Sequence, residues 1–321
     1  MKKVLICGVS GQDGAYLSKL LLDNNYEVYG GSRDASSNIF INLKKLNILN
    51  KLKLVSINIC DFRSTLQTII KIKPDEIYNL SGQSSVGLSF EQPVETFESI
   101  SIGTLNLLEA IRFSGLSIKL YNAGSSECFG ESNGLPANEE TPFKPRSPYA
   151  IAKATAYWQV ANYREAYNLY ACTGILFNHE SPLRSSRFVT KKIISTACEI
   201  SMGKDVKLNL GNIDIMRDWG WAPDYVEAMW LMLQNTHPVD FVIATGTTNS
   251  LRDFIKHTFE ELGLNWEEHV ISDQTLLRPT DLMNGSANPQ KAKDILNWQS
   301  KFGLKEIIHE MIKYELNNIA F

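Results

Sequence analysis

The feature that most constrains this chain is an alternation of short apolar runs with amphipathic stretches, the first of which meet at a glycine turn. Residues 4–7, 27–30, 52–57, 76–80, 119–123 and 172–177 read as strands bounded by turn residues, while 15–24, 64–72 and 94–113 carry helical periodicity. Near-continuous apolar strands are buried on both faces, and the helices between them provide the cover. The pattern therefore predicts βαβ units in an α/β fold, a Rossmann-type doubly wound parallel sheet. With 321 residues there is chain for one large or two modest domains.

The rhythm changes after residue 177. A proline-containing polar loop at 178–184 precedes a helix near 190–200 and a short strand near 206–210. A further strand is expected at 241–244, with helices at 251–262, 290–296 and 304–317. Residues 1–178 plus about 218–248 are expected to form the dinucleotide-binding Rossmann domain. About 179–217 plus 249–321 form a smaller, discontinuous substrate domain over the carboxyl ends of the strands, where such sheets bind ligands.

Gly8, Gly11 and Gly14 follow the first strand immediately and open the first helix, with Ser10, Gln12 and Asp13 between them. That spacing suits a tight turn, close backbone approach to a pyrophosphate and anion binding at a helix N-terminus. At the end of the second strand Arg33 favours a 2′-phosphate, whereas the neighbouring Asp34 favours a free ribose hydroxyl. NADP is the expected cofactor, and Asp34 leaves NAD open. Asp61 and Phe62 follow the third strand at the adenine position. Leu80, Ser81 and Gln83 follow the fourth beside the nicotinamide ribose, with Ser84 next to them on the substrate side.

The reacting groups come from two segments. Ser125 and Glu127 end the fifth strand, and Tyr149 and Lys153 lie four apart on a helix begun by Pro148. Residues four apart share a helical face, where an ammonium lowers a phenol's pKa and makes it a usable base. A simple alcohol dehydrogenase needs a Tyr, a Lys and a hydroxyl donor. A carboxylate beside that hydroxyl points to a second proton transfer, at carbon.

Composition excludes several other classes. A net charge of −3 gives no global attraction to nucleic acid or an anionic membrane surface. The five cysteines form no CxxC pair and no metal-type cluster with the five histidines, so no metal is expected and the cysteines read as buried small hydrophobes in a reducing cytosol. No apolar run approaches the roughly 20 residues of a membrane span, and the apolar stretch after Met1-Lys2-Lys3 is too short for a secretory signal. A cytoplasmic location is expected.

These motifs resemble the extended short-chain dehydrogenase/reductases, and among them the GDP-mannose 4,6-dehydratases. The likeness runs nearly end to end: the glycine turn with Gln12 and Asp13, Tyr78-Asn79-Leu80, Ser125-Ser126-Glu127, Pro145-Arg146-Ser147-Pro148-Tyr149, Phe177-Asn178-His179-Glu180-Ser181-Pro182 and Arg217-Asp218-Trp219-Gly220. The last two blocks separate this family from epimerases and dTDP-glucose dehydratases. The resemblance implies a hydro-lyase in which Tyr149 and Lys153 act at the C4 hydroxyl and Glu127, with Ser125, acts at C5 and C6. It implies a GDP-sugar substrate held by Asn178, Lys192, Arg217 and Arg278, and His179 and Arg184 on the cofactor side. A homodimer or homotetramer is implied, with no nucleic acid or membrane partner.

Departures from the family pattern are Ser125 for the usual Thr, Asp34-Ala35 beside Arg33, Met216 for a frequent Lys and Asp281 for Glu. A sibling acting on GDP-D-glycero-D-manno-heptose is the nearest alternative, and a non-catalytic NAD(P)-binding sensor is the alternative of another class. Glu127 argues against a 4-epimerase or 4-reductase, since neither needs a base at C5.

Overall fold

Seven strands among the described residues pair side by side in one parallel sheet. They are β1 (Lys3–Cys7), β2 (Glu27–Ser32), β3 (Lys53–Ser56), β4 (Glu76–Asn79), β5 (Lys119–Ala123), β6 (Ala171–Leu176) and the strand Phe241–Ile243. This computed structural model describes residues 1–131, 134–276 and 280–319. From one edge the order runs Phe241–Ile243, β6, β5, β4, β1, β2, β3. β1 pairs with β2 on one side and β4 on the other, in registers Val4 to Val28 and Val4 to Glu76. Strand order reverses there, which opens a crevice beyond the carboxyl ends of β1 and β4.

The helix Pro148–Tyr167 shows how local sequence positions a reacting group. Ser147 caps it, accepting from the Ala150 N–H at 3.1 Å, and Pro148 occupies the first turn. Asn168 ends it in the left-handed conformation with φ +54°. Tyr149 thus sits in the first turn, and Lys153 lies one turn later.

The single helix expected over 94–113 is instead Pro93–Phe97, a π-helical turn Glu98–Ile102 and Gly103–Ser114. The widened turn carries Ser99, whose Oγ accepts from Gln83 N at 3.2 Å, and Ser101, whose Oγ donates to the Ala152 carbonyl at 3.0 Å. A regular 3.6-residue winding would rotate one of these serines away from its partner.

Several short strands had no counterpart in the sequence reading. Asn178–Glu180 and Asn284–Gly285 both pair parallel with Met216–Trp221, and Thr248–Ser250 pairs antiparallel with it. Two- and three-residue strands are too short to show a period. Around them helices Val189–Ser201, Leu251–Glu261 and Leu304–Ile319 close a second apolar core that includes Ile194, Trp219, Phe254 and Ile308. Trp298 packs instead into the first core and donates its indole N–H to the Asp224 carbonyl at 2.9 Å.

The cysteine expectation is corrected at one position. Cys7, Cys128, Cys172 and Cys198 are buried, but Cys60 is exposed on the turn after β3. Among the described residues no helix is long and apolar enough to cross a membrane.

Candidate active site

The glycine turn is built by exclusion. Gly8 takes φ +88°, and a Cβ there would meet the Leu80 carbonyl oxygen at 2.7 Å, so the turn presses directly on the chain leaving β4. A Cβ on Gly14 would meet the Gly8 oxygen at 2.5 Å and Val9 Cα at 2.7 Å. At Gly11 the nearest atom is a comfortable 3.4 Å away, which leaves that residue open. No side chain caps the helix Gln12–Asp23 that starts here, so its first N–H groups remain for an anionic ligand. Ser10 contributes its carbonyl to Asn42 Nδ2 at 3.1 Å. A bare helix terminus against a turn with no room for a β-carbon at Gly8 or Gly14 fits a dinucleotide's diphosphate.

Gln12 and Asp13 reach across to the far side of the chain. Gln12 donates to the His179 carbonyl at 3.2 Å and accepts from Ser181 Oγ at 2.7 Å. His179 faces an acceptor on each side, the Phe177 carbonyl at 2.8 Å from Nδ1 and the Asp13 carboxylate at 2.9 Å from Nε2, and it stacks on Tyr225 at 4.5 Å. Only the doubly protonated ring satisfies both acceptors. Burial pushes the imidazole down, but the Asp13 charge and hydrogen bond outweigh it and the net shift is upward. Burial likewise opposes the Asp13 charge, and His179 holds that carboxyl below its ordinary value. Both partners move in the sense of an ion pair.

The loop after β2 holds Asp34 in a local hydrogen-bond network. Its carboxylate accepts from Ser36 N and Oγ at 2.9 and 2.6 Å and from Ser37 Oγ at 2.6 Å, bonds that lower its pKa. Arg33 is widely exposed, 4.0 Å from Glu95. Asp61 caps the helix Phe62–Ile72 by accepting from Ser64 N at 3.0 Å, and Phe62 lies partly exposed beside it. Ser81 Oγ donates to Asn79 at 2.6 Å, and Gln83 bridges the Ser85 backbone. Ser84 is exposed and Leu80 half-buried.

Ser125, Glu127, Tyr149 and Lys153 converge at the carboxyl edge of β5. Gly124 gives the bend close passage, with a Cβ there meeting the Gly174 oxygen at 2.9 Å. Ser125 Oγ accepts from Glu127 N at 3.3 Å, and Ser125 and Tyr149 are both buried there. Lys153 shares the helical face as expected, yet its Nζ donates to the Ala123 carbonyl at 2.7 Å and stands 5.8 Å from the Tyr149 ring centre. Burial raises the Tyr149 phenol well above its ordinary value, with the neighbouring Ser125 pulling the other way. Burial lowers Lys153 to about 8. The ammonium is therefore anchored at the strand end, and the net shift of the phenol is upward, against the lowering expected from Lys153.

The remaining predicted residues fall on both sides of the cleft. Asn178 is half-buried at the start of its strand, and Lys192 is exposed with Nζ donating to the Asn209 carbonyl at 2.7 Å. Arg184 lies 3.1 Å from Glu180 without hydrogen-bond alignment and covers the Phe188 ring at 3.6 Å. Arg217 is buried, donating to the Met216 carbonyl at 2.9 Å and approaching Asp281 at 3.4 Å. Arg278 lies outside the described residues.

Two features of this region escaped the sequence reading. Asp218, inside the Arg217-Asp218-Trp219-Gly220 block, accepts from Thr245 N and Gly246 N at 3.0 and 2.7 Å and so anchors the loop after Phe241–Ile243; burial pushes its carboxyl up to about 6. Asn284 and Ser286 line a cavity shared with Glu127 and Arg217. Nothing local in the sequence marks them, because their place depends on pairing with a strand nearly seventy residues earlier.

A parallel sheet with a glycine turn after its first strand, and a Ser/Tyr/Lys group at the end of β5, defines an extended short-chain dehydrogenase/reductase. The family model described as GDP-mannose 4,6 dehydratase matches residues 5–311. GDP-mannose 4,6 dehydratase 1 of Arabidopsis thaliana is 46% identical, covering 98% of this chain and 90% of the relative. The Homo sapiens GDP-mannose 4,6 dehydratase is 43% identical over 96% of this chain and 90% of its own length. Among solved structures, the UDP-glucose 4-epimerase of Thermus thermophilus in complex with NAD superposes with a TM-score of 0.86 at 25% identity, covering 98% of each chain. The chain belongs to the GDP-mannose 4,6 dehydratase family.

Proposed function

We propose that this protein converts GDP-D-mannose to GDP-4-keto-6-deoxy-D-mannose, a hydro-lyase reaction that uses a nicotinamide dinucleotide without consuming it. The observation that carries the reading is Glu127, a second acid–base group two residues from Ser125 and near Tyr149, where a plain dehydrogenase has none. The dinucleotide, when bound, supplies a reversible store for one hydride.

The protein supplies the proton chemistry. Tyr149 takes the proton from the C4 hydroxyl, with the Ser125 hydroxyl and the Lys153 charge nearby. The resulting ketone acidifies C5, and Glu127 removes the C5 proton. Water leaves from C6, and C5 takes up a proton as C6 is reduced. Burial of Tyr149 and Lys153 keeps bulk water from competing for these protons.

NADP is the proposed form of the cofactor. Asp34 is turned into its own loop by Ser36 and Ser37, leaving Arg33 as the accessible charged group at the end of β2. Tighter NADP than NAD binding by calorimetry checks this; equal affinities overturn it. Residues 1–178 with about 218–248 are assigned to the dinucleotide, and the rest to the GDP-sugar through Ser84, Asn178, Lys192, Arg217 and Arg278. A second copy of the chain is proposed as partner, supported by Val94, Phe97, Ile102, Ile151 and Trp158, exposed apolar residues on adjacent helices. The expected location is the cytoplasm.

Glu127→Gln tests the function. The variant is expected to bind cofactor normally and to lose dehydration by about 100-fold or more, the usual scale for a positioned acid–base group. Product formation at the wild-type rate sinks the assignment.

A further inference from the structure

Glu127 opens onto a cavity of about 10 Å³, room for one water molecule. Phe129, Phe177 and Leu282 make its apolar wall, and Arg217, Asn284 and Ser286 its polar one. Asn284 Oδ1 and Ser286 Oγ are both buried without a hydrogen-bond partner. A buried polar atom left unmatched is costly, so two around one small cavity mark a place where a ligand completes the bonding.

The walls are fixed in place. Asn284 and Gly285 pair with Met216 and Arg217, and Ala287 bridges to Ala137. Charge narrows the ligand. Glu127 repels a second anion, and Arg217 already donates to Met216 and approaches Asp281. What remains is a neutral oxygen that donates to Asn284 Oδ1 and exchanges a hydrogen bond with Ser286 Oγ.

We infer that Asn284 and Ser286 hold the oxygen that departs from C6 of the sugar, first as hydroxyl and then as water. The inference rests on the dehydratase reading. Glu127 takes the C5 proton; the C6–O bond breaks with its electron pair on oxygen, and the hydroxide takes that proton from Glu127, forming water and the C5–C6 double bond. The hydride removed from C4 returns to C6. One proton is taken up at C5, balanced by the C4 hydroxyl proton held on Tyr149. Gripping the oxygen as charge builds on it is an interaction stronger in the transition state than in the ground state, so it acts on kcat.

Ser286→Ala and Asn284→Val, assayed as full-length protein with NADP and GDP-mannose, test this. Each is expected to lower kcat about tenfold or more with KM within about twofold, and to raise the fraction of reduced cofactor on the enzyme during turnover. Wild-type kcat in both variants, or a KM effect alone, overturns the inference. An independent check is a crystal structure of the ligand-free protein, with one water expected within hydrogen-bond distance of both atoms; a dry cavity overturns it. Failure of the wild type to dehydrate GDP-mannose defeats the dehydratase reading and this one together. Wild-type turnover with undiminished variants defeats this one alone.

Discussion

The two ends of the cleft solve opposite problems. At the phosphate turn, Gly8 and Gly14 are packed so tightly against backbone that neither has room for one more carbon, and Gln12 and Asp13 beside them are both engaged. At the sugar-side cavity, Asn284 and Ser286 keep polar atoms with nothing to bond. The first region offers shape and a helix terminus, suited to a constant part of a ligand. The second keeps unspent bonding capacity for atoms that change during a reaction. Rigidity thus belongs to binding, and incompleteness to chemistry.

Gly14→Ala should break the packed end most severely. Its new carbon meets immovable backbone, so a loss of about 3 kcal/mol or more is expected, read by thermal unfolding. Gly11→Ala is the internal control, because its Cβ finds only a 3.4 Å neighbour. Equal melting temperatures for the two variants would dissolve the contrast.

Asp13→Asn probes the polar bracket behind the turn. Removing one partner of a buried pair typically costs about 3 kcal/mol. The sign of the pH dependence follows from the shifts. His179 is raised, so its contribution is complete below the ordinary imidazole value of 6.5 and is lost as pH rises through its folded value. Asp13 is lowered, so its contribution is present above 3.8 and is lost as pH falls through its folded value. Urea unfolding across this range should show wild-type stability declining at both ends, and the variant should flatten the upper decline. Parallel curves would mean the pair does not brace the turn.

Lys153 gives the smallest effect. Since burial brings it to about 8, kcat/KM should fall as pH rises past that value, and Lys153→Arg, charged throughout, should remove the fall. A wild-type profile without that limb would detach Lys153 from the proton chemistry.

Legibility in the sequence followed the range of the interaction. β1 to β6 were readable because each holds a short apolar run bounded by turn residues and separated from the next by a helical stretch, and Tyr149 and Lys153 because one helical turn joins them. The bond from Lys153 to Ala123 was not, since it spans thirty residues and two elements. Nor was the bracket from Asp13 to His179, whose members lie 166 positions apart, although the resemblance had put His179 on the cofactor side. The π-helical turn at Glu98–Ile102 hides inside a continuous helical period, and only its contacts with Gln83 and Ala152 explain it.

The pairing of Asn284–Gly285 with Met216–Arg217, and of Ala287 with Ala137, also sets an order in time. A ribosome releases Ser125, Glu127, Tyr149 and Lys153 more than a hundred residues before it releases the segment that walls them in. Until that segment arrives and closes a loop of some 150 residues, the proton-handling groups face open solvent. The newborn chain carries its reactive groups early and becomes a sugar-processing vessel only after this later segment has emerged.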